Sequence, residues 1–306
     1  MSAISIPKTS SIALAGLLYK ASPVTATKPP ALIVVHPAGS VKEQAAGLYA
    51  QHLSQQGFTT ICYDASYQGE SGGKPRYLED PSARVSDISS VVDYIQQNLG
   101  SDVDTDKIGV VGVCAGGGYA VAAAKADYRI RAVAAVSLMN IGDAGRLGWA
   151  GDEDPTKHVE TIKMISQLLK VEAENGGVEA AAATAPYIQP VDDKTPYDLK
   201  EAHEYYLTPR AQHPRAENKM LLRSLPLALN FDAFHLADLY LKQPVLTIVG
   251  ENATSRWHSD KLDKLIGGAA TKIVVPKGTH IDLYDKEEFV GPAAKDIADF
   301  MRTNLQ

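Results

Sequence analysis

The sequence predicts an α/β fold, a mostly parallel sheet flanked by helices and interrupted by a helical insertion. Three observations carry this expectation. Short β-branched runs alternate with longer amphipathic stretches from about residue 31 onward, the order expected of strand–helix–strand units. The strand runs are nearly continuous in apolar residues rather than alternating, as strands covered by helices on both faces must be. The pattern breaks once, over roughly residues 142 to 240, where helices and Pro-rich loops with many tyrosines replace it, and then it resumes.

Taken in order, ALIVVH (31–36) reads as a strand and VKEQAAGLYAQHLSQQG (41–57) as a helix closed by Gly57. FTTICYDAS (58–66) is the next strand, and VSDISSVVDYIQQNLG (85–100) has apolar residues at helical spacing with Gly100 past its end. KIGVVGV (107–113), AGGGYAVAAAKA (115–126) and IRAVAAVSL (130–138) follow as strand, helix and strand. Beyond the insertion, QPVLTIVG (243–250) and TKIVVP (271–276) resume the sheet, and EEFVGPAAKDIADFMRTNL (287–305) is a closing amphipathic helix. The expected organisation is one core from residues 1–141 and 241–306 with a helical cap over 142–240.

Composition narrows the function classes. The 306 residues carry 30 Lys+Arg against 36 Asp+Glu, a net charge of −6, and are 45% hydrophobic. A chain of this size buries about three-quarters of its unfolded surface, enough for a core without metal or disulfide staples. Mild acidity without a basic stripe argues against nucleic acid and anionic membranes as partners. No apolar run approaches the roughly 18 residues of a spanning helix, and MSAISIPKTSS lacks the parts of a signal peptide, so a cytoplasmic protein is expected. Cys62 and Cys114 are then expected to be free thiols, and Asn252-Ala253-Thr254 carries little weight as a glycosylation sequon. HEYYLTPRAQH has its histidines ten residues apart and no C-x-x-C occurs, so no metal or cofactor is expected. Oligomeric state, a homo-oligomer included, stays open.

The chemistry concentrates at Gly112-Val113-Cys114-Ala115-Gly116, between a strand and an alanine-rich helix. This is the G-x-S-x-G form with sulfur in place of the hydroxyl. In such an elbow the nucleophile sits in a strained turn, flanked by glycines because neighbouring chain passes too close for a Cβ. The helix N-terminus should also favour thiolate, the reactive form. A buried structural cysteine is the other reading; a phosphate loop is not, because Gly112, Gly116, Gly117 and Gly118 fit neither Gly-rich phosphate signature. A cysteine nucleophile needs a base, and of eight histidines His280, in PKGTHIDLYD just after the last predicted strand, is placed for it. His36 reads as shaping the loop it opens, and His258 as a substrate-pocket or surface residue.

The acid should follow PVLTIVG, where the chain runs Gly250-Glu251-Asn252-Ala253-Thr254-Ser255 without an aspartate. Glu251 is the assigned third member, with uncharged Asn252 and the more distant Asp143 as alternatives. The loop His36-Pro37-Ala38-Gly39-Ser40 can aim the Ala38 amide at a substrate oxygen, with the amide of Ala115 as its partner. DASYQGESGG (64–73) closes another strand on the same sheet edge, where ligands bind in open α/β folds.

The motifs VVHPAGSVKEQ, YDASYQGESGG, VCAGGGYA, YYLTPRAQHP, FDAFHLADL and GTHIDLYD together resemble the α/β-hydrolase superfamily over nearly the whole chain. Within it they are similar to a capped, cysteine-nucleophile group that includes fungal polyketide transferases and thiohydrolases, and GVCAGGGY also looks like the elbow of dienelactone hydrolases. The resemblance implies Cys114 as nucleophile, His280 as base, and Ala38 and Ala115 as oxyanion donors. It departs at the acid, where relatives carry an aspartate about where Thr254 stands. Three functions follow: an acyl-transfer enzyme acting on a small-molecule or carrier-bound thioester or ester, a small-molecule esterase or lactonase, and a non-catalytic binding protein that kept the fold.

Overall fold

The structure, a computed structural model, describes residues 1–24, 27–177 and 183–306. Strands β1 (Ser2–Pro7), β2 (Ala13–Tyr19), β3 (Pro30–Val35), β4 (Thr59–Tyr63), β5 (Asp104–Val113) and β6 (Ile130–Val136) lie in one sheet. Two short strands, β7 (Thr184–Ala185) and β8 (Met220–Leu221), pair apart from it, and β9 (Val245–Gly250) and β10 (Thr271–Val275) complete it. The order across this eight-stranded sheet is β1-β2-β4-β3-β5-β6-β9-β10. All neighbours are parallel except β1–β2 and β2–β4. The hairpin β1–β2 was not read from the sequence; β1 buries little besides Ile6, so it lacks the continuous apolar signal of the central strands.

The crossovers place the helices. From β3 the chain passes through α1 (Ala45–Ser54) to β4 on one side, then through α2 (Pro81–Asn98) back across to β5 on the other. Right-handed crossovers running in opposite directions put their helices on opposite faces. The link β5–α3 (Ala115–Ala126)–β6 runs in the same direction as the link through α2, and α3 packs on α2 accordingly. The C-terminal helix (Glu287–Asn304) packs on α1. The carboxyl ends of β3 and β5 therefore form the point where the winding reverses, which is the ligand crevice of such sheets. Both expected reactive loops, 36–40 and the elbow at Cys114, leave from these two ends.

Local sequence explains the element ends. α2 starts four residues earlier than the apolar spacing suggests, because Asp80 caps the amides of Ser82 and Ala83 and Pro81 fits the first turn. α1 starts at Ala45, not 41, because Lys42 is turned into a buried ion pair with Asp64, Nζ to Oδ2 2.8 Å.

Between β6 and β9 the chain forms α4 (Ile141–Leu147), α5 (His158–Glu174), α6 (Tyr197–Leu207), α7 (Ser224–Asn230) and α8 (Ala237–Tyr240). This segment contributes no described strand to the large sheet, while residues 178–182 of the expected cap lie outside the described residues. The remaining helices are α9 (Trp257–Leu265), α10 (Asp282–Asp285) and α11 (Glu287–Asn304). No helix of the described residues is long and apolar enough to cross a membrane.

Candidate active site

Cys114 sits between β5 and α3 with φ 56° and ψ −122°, a backbone conformation that costs a side-chain-bearing residue strain. The surroundings hold it there. Its N–H donates to Val136 O at 2.9 Å, and its carbonyl accepts from Gly117 N at 2.9 Å and Met139 N at 3.0 Å. The flanking glycines are required as the sequence suggested: a Cβ on Gly112 would lie 2.2 Å from Gly116 O, and one on Gly116 would lie 2.3 Å from Val35 O. The elbow thus folds against itself and against β3.

The thiol is 6% exposed. Sγ lies 4.0 Å from Met139 Sδ. Burial pushes the thiol up to about 11, against the opposing pull of Tyr284, the Ala115 amide and Arg84. This corrects the expectation of a thiolate favoured by the helix N-terminus: desolvation of the charged form outweighs a partial charge confined to one turn.

His280, fully buried at the turn before α10, is fixed on several sides. Its carbonyl accepts from Ser137 Oγ at 2.9 Å, and the indole of Trp149 meets its ring edge-on at a centroid distance of 5.0 Å. Nδ1 is 2.5 Å from Ser255 Oγ, and Nε2 is 3.0 Å from Tyr284 Oη. A proton carried on Nδ1 and donated to Ser255 leaves Nε2 as an acceptor, the form a base needs. Burial holds the imidazole neutral, down to about 4, and the carboxylate of Asp198 opposes that shift.

None of the three residues considered for the third position, Glu251, Asn252 and Asp143, meets His280 among the described contacts. Glu251 is exposed, and its Oε2 accepts from Lys277 N at 2.9 Å while its own N–H is bound to Val275 O. It is therefore fastened to the turn after β10, and no described contact joins it to the imidazole. Asn252 Nδ2 donates to Lys277 O at 3.2 Å on the same exposed turn. Asp143 is neutralised elsewhere, by Arg146 Nη2 at 2.9 Å and Lys261 Nζ at 2.7 Å. The positions they were expected to fill are taken by Ser255, on the turn after β9, and at longer range by Asp198 of α6. Asp198 is 1% exposed and accepts from Thr254 N at 2.8 Å and Trp149 Nε1 at 3.2 Å. A carboxylate does stand at Thr254, but it comes from the insertion.

On the facing loop, His36 Nε2 accepts from Ala65 N at 3.1 Å, Nδ1 donates to Pro37 O at 2.6 Å, and Arg84 Nη2 donates to His36 O at 2.7 Å. His36 is built into the loop, as its sequence position suggested. The insertion roofs this loop. Tyr187 packs so closely that a Cβ on Gly39 would meet its ring at 2.9 Å, and its hydroxyl donates to buried Glu79 at 2.8 Å. Tyr206 reaches Ala38 O at 3.5 Å. His258 is buried, stacked on Trp257 at 3.6 Å, and held neutral by burial, down to about 3, so it is not a surface residue.

A sheet wound about β3 and β5, a strained, glycine-flanked cysteine elbow after β5 and a buried histidine after the last strand define a hydrolase-type scaffold. The chain belongs to the alpha/beta hydrolase family, whose model matches residues 32–291. It is 42% identical to the uncharacterized protein YcjY of Escherichia coli (strain K12) over 282 residues, covering 90% of this chain and 89% of that one. It is 27% identical to a thiohydrolase of Eupenicillium brefeldianum over 271 residues, 88% of this chain and 82% of that one. Among solved structures, PA2218 from Pseudomonas aeruginosa matches with a TM-score of 0.89 at 30% identity, covering 99% of this chain and 93% of that one.

Proposed function

We propose that the chain is an acyl-transfer enzyme acting on a thioester or ester through an acyl-cysteine intermediate, with Cys114 as nucleophile and His280 as base. The observation that carries the reading is a cysteine held at φ 56° on the elbow of an alpha/beta hydrolase sheet, in a chain whose buried histidine after the last strand has its Nδ1 fixed by Ser255. A structural cysteine needs no such backbone.

Cys114 and His280 are both neutral near pH 7 because both are buried. The thiol therefore gives up its proton as Sγ bonds to the carbonyl carbon, and His280 receives it. The amides of Ala115 and Ala38 hold the oxyanion. Collapse breaks the bond to the leaving thiol or alcohol, which takes the proton back, and His280 then activates water or an acceptor alcohol to release the acyl group. Sulfur suits thioesters because exchange of one thiol for another is nearly balanced. The aromatic roof of Trp149, Tyr187 and Tyr206 supports an acyl group with an apolar chain, and a thiohydrolase among the relatives supports the thioester.

Turnover of acyl thioesters against a panel of p-nitrophenyl esters tests this. Wild type should prefer thioesters, and Cys114→Ala should lose all turnover in both sets. Preference for small esters would favour the esterase reading, and undiminished activity of Cys114→Ala would remove the nucleophile assignment.

A further inference from the structure

Asp198, the second residue of α6, carries a buried carboxylate from the insertion onto the turn after β9. No described hydrogen bond joins it to His280. Instead one oxygen, Oδ2, accepts from Thr254 N at 2.8 Å and from Trp149 Nε1 at 3.2 Å. Each of these bonds lies one step from the imidazole. Thr254 precedes Ser255, whose Oγ is 2.5 Å from His280 Nδ1, and both belong to one short helical turn, Thr254–Arg256. Trp149 sets its indole edge-on to the His280 ring, with the centroids 5.0 Å apart and the planes at 65°. That indole is held from a second side as well, because Trp149 O accepts from Trp257 Nε1 at 3.1 Å.

The first N–H groups of a helical turn have no acceptor within it. Here the preceding residue is Ala253, whose side chain cannot cap. Asp198 supplies the acceptor from outside, and an ionised acceptor binds an amide about twice as strongly as a neutral one. The direction in which Ser255 presents its oxygen therefore depends on a residue of the insertion, 57 positions earlier in the chain.

We propose that Asp198 is a positioning residue for the base: by holding the Ser255 turn and the Trp149 indole on one oxygen, it orients His280 only while the insertion is seated. The inference rests on the reading of His280 as the base of an acyl-transfer site. With the clamp closed, Ser255 accepts from Nδ1–H and the imidazole is kept in the form whose Nε2 can take a proton. With the clamp open, the hydroxyl is free to turn and both neutral forms of the ring become accessible. The same arrangement accounts for a turn after β9 that places no carboxylate against the imidazole. The function of that carboxylate is divided between Ser255, which touches the ring, and Asp198, which sets Ser255.

The test is single-turnover acylation by p-nitrophenyl acetate in wild type, Asp198→Asn, Asp198→Ala, Ser255→Ala and the double variant Asp198→Ala/Ser255→Ala. It is read beside 15N NMR of histidine-labelled protein, with the His280 signals assigned through His280→Gln and folding checked by circular dichroism. Asp198→Ala should acylate about a hundredfold more slowly, the scale of a catalytic group displaced by about 1 Å, and its His280 should populate both neutral tautomers. Asp198→Asn keeps an oxygen that can accept both bonds, so it should lose no more than about fivefold and retain the single tautomer of wild type. The double variant should be little slower than the slower single one, because both substitutions act through Nδ1. An Asp198→Ala protein that melts earlier but keeps the wild-type rate and tautomer would overturn the proposal and leave Asp198 a purely structural residue. Asp198→Asn as slow as Asp198→Ala, with a single tautomer in both, would also overturn it, since charge and not position would then be acting. Should Asp198→Ala not fold, Asp198→Leu, similar in size and without an acceptor, is held to the same two readouts. If wild type takes up no acyl group, the acyl-transfer reading fails separately. The tautomer of His280 then decides the positioning role: mixed forms in Asp198→Ala support it, and a single unchanged form overturns it.

Discussion

At the scale of single residues, the site is a set of neutral groups poised around one buried histidine. Ser255 is the contact that fixes the Nδ1 side of the imidazole, at 2.5 Å. Removing that oxygen leaves a buried N–H unpaired, which costs about 1–3 kcal/mol. Ser255→Ala should therefore lower kcat by roughly ten- to a hundredfold, taking about 1.4 kcal/mol per decade, while Glu251→Gln, altering an exposed side chain bound to Lys277, should stay within about twofold. Steady-state kinetics on the two variants checks this, and a large loss in Glu251→Gln with none in Ser255→Ala would return the third role to Glu251. These contacts were unevenly legible. Cys114 and His280 stand in motifs whose local spacing states their place on a strand end. The Tyr284 hydroxyl on the other side of the imidazole was legible in principle, as a His and a Tyr four apart in HIDLY. Ser255 carries no motif at all.

At the scale of elements, the sequence read well wherever burial on both faces made the signal redundant. α3 was expected over 115–126 and spans Ala115–Ala126; β5 and β6 begin or end within a few residues of their apolar runs. Reading failed where a different force set the boundary. Asp80 and Pro81 start α2 through capping, and the Lys42–Asp64 ion pair delays α1. The position of Asp198 could not be read for a related reason. It depends on how α6 of the insertion lies across the turn after β9, which is set by tertiary packing of a segment with no repeating sheet pattern. The elbow itself is the opposite case: the need for glycine at 112 and 116 is a property of three crossing backbone segments, and it shows in the sequence because no other residue fits.

At the scale of the whole molecule, burying neutral histidines couples function to stability. Burial lowers His36, His258 and His280, the last two to about 3 and about 4. Their unfolded value is near 6.5, so as pH falls below it the unfolded chain binds protons that the folded chain refuses. Stability is then complete above about pH 6.5 and falls toward acid, by up to about 1.4 kcal/mol per pH unit for each histidine. Asp87 and Glu201, which burial raises, act in the opposite sense, but they are two against three. The melting temperature should drop steadily from about pH 7 to about pH 4.5; an unchanged melting temperature over that range would mean these histidines are not buried neutral.

The measurement closest to the central claim is the intact mass of the protein after brief exposure to an acyl N-acetylcysteamine thioester. Wild type should gain the mass of one acyl group transiently, Cys114→Ala should gain nothing, and in His280→Ala whatever adduct forms should persist, because the base that activates the acceptor is gone. Thioester turnover by wild type with no adduct in any variant, or an adduct retained in Cys114→Ala, would contradict an acyl-cysteine intermediate at the elbow.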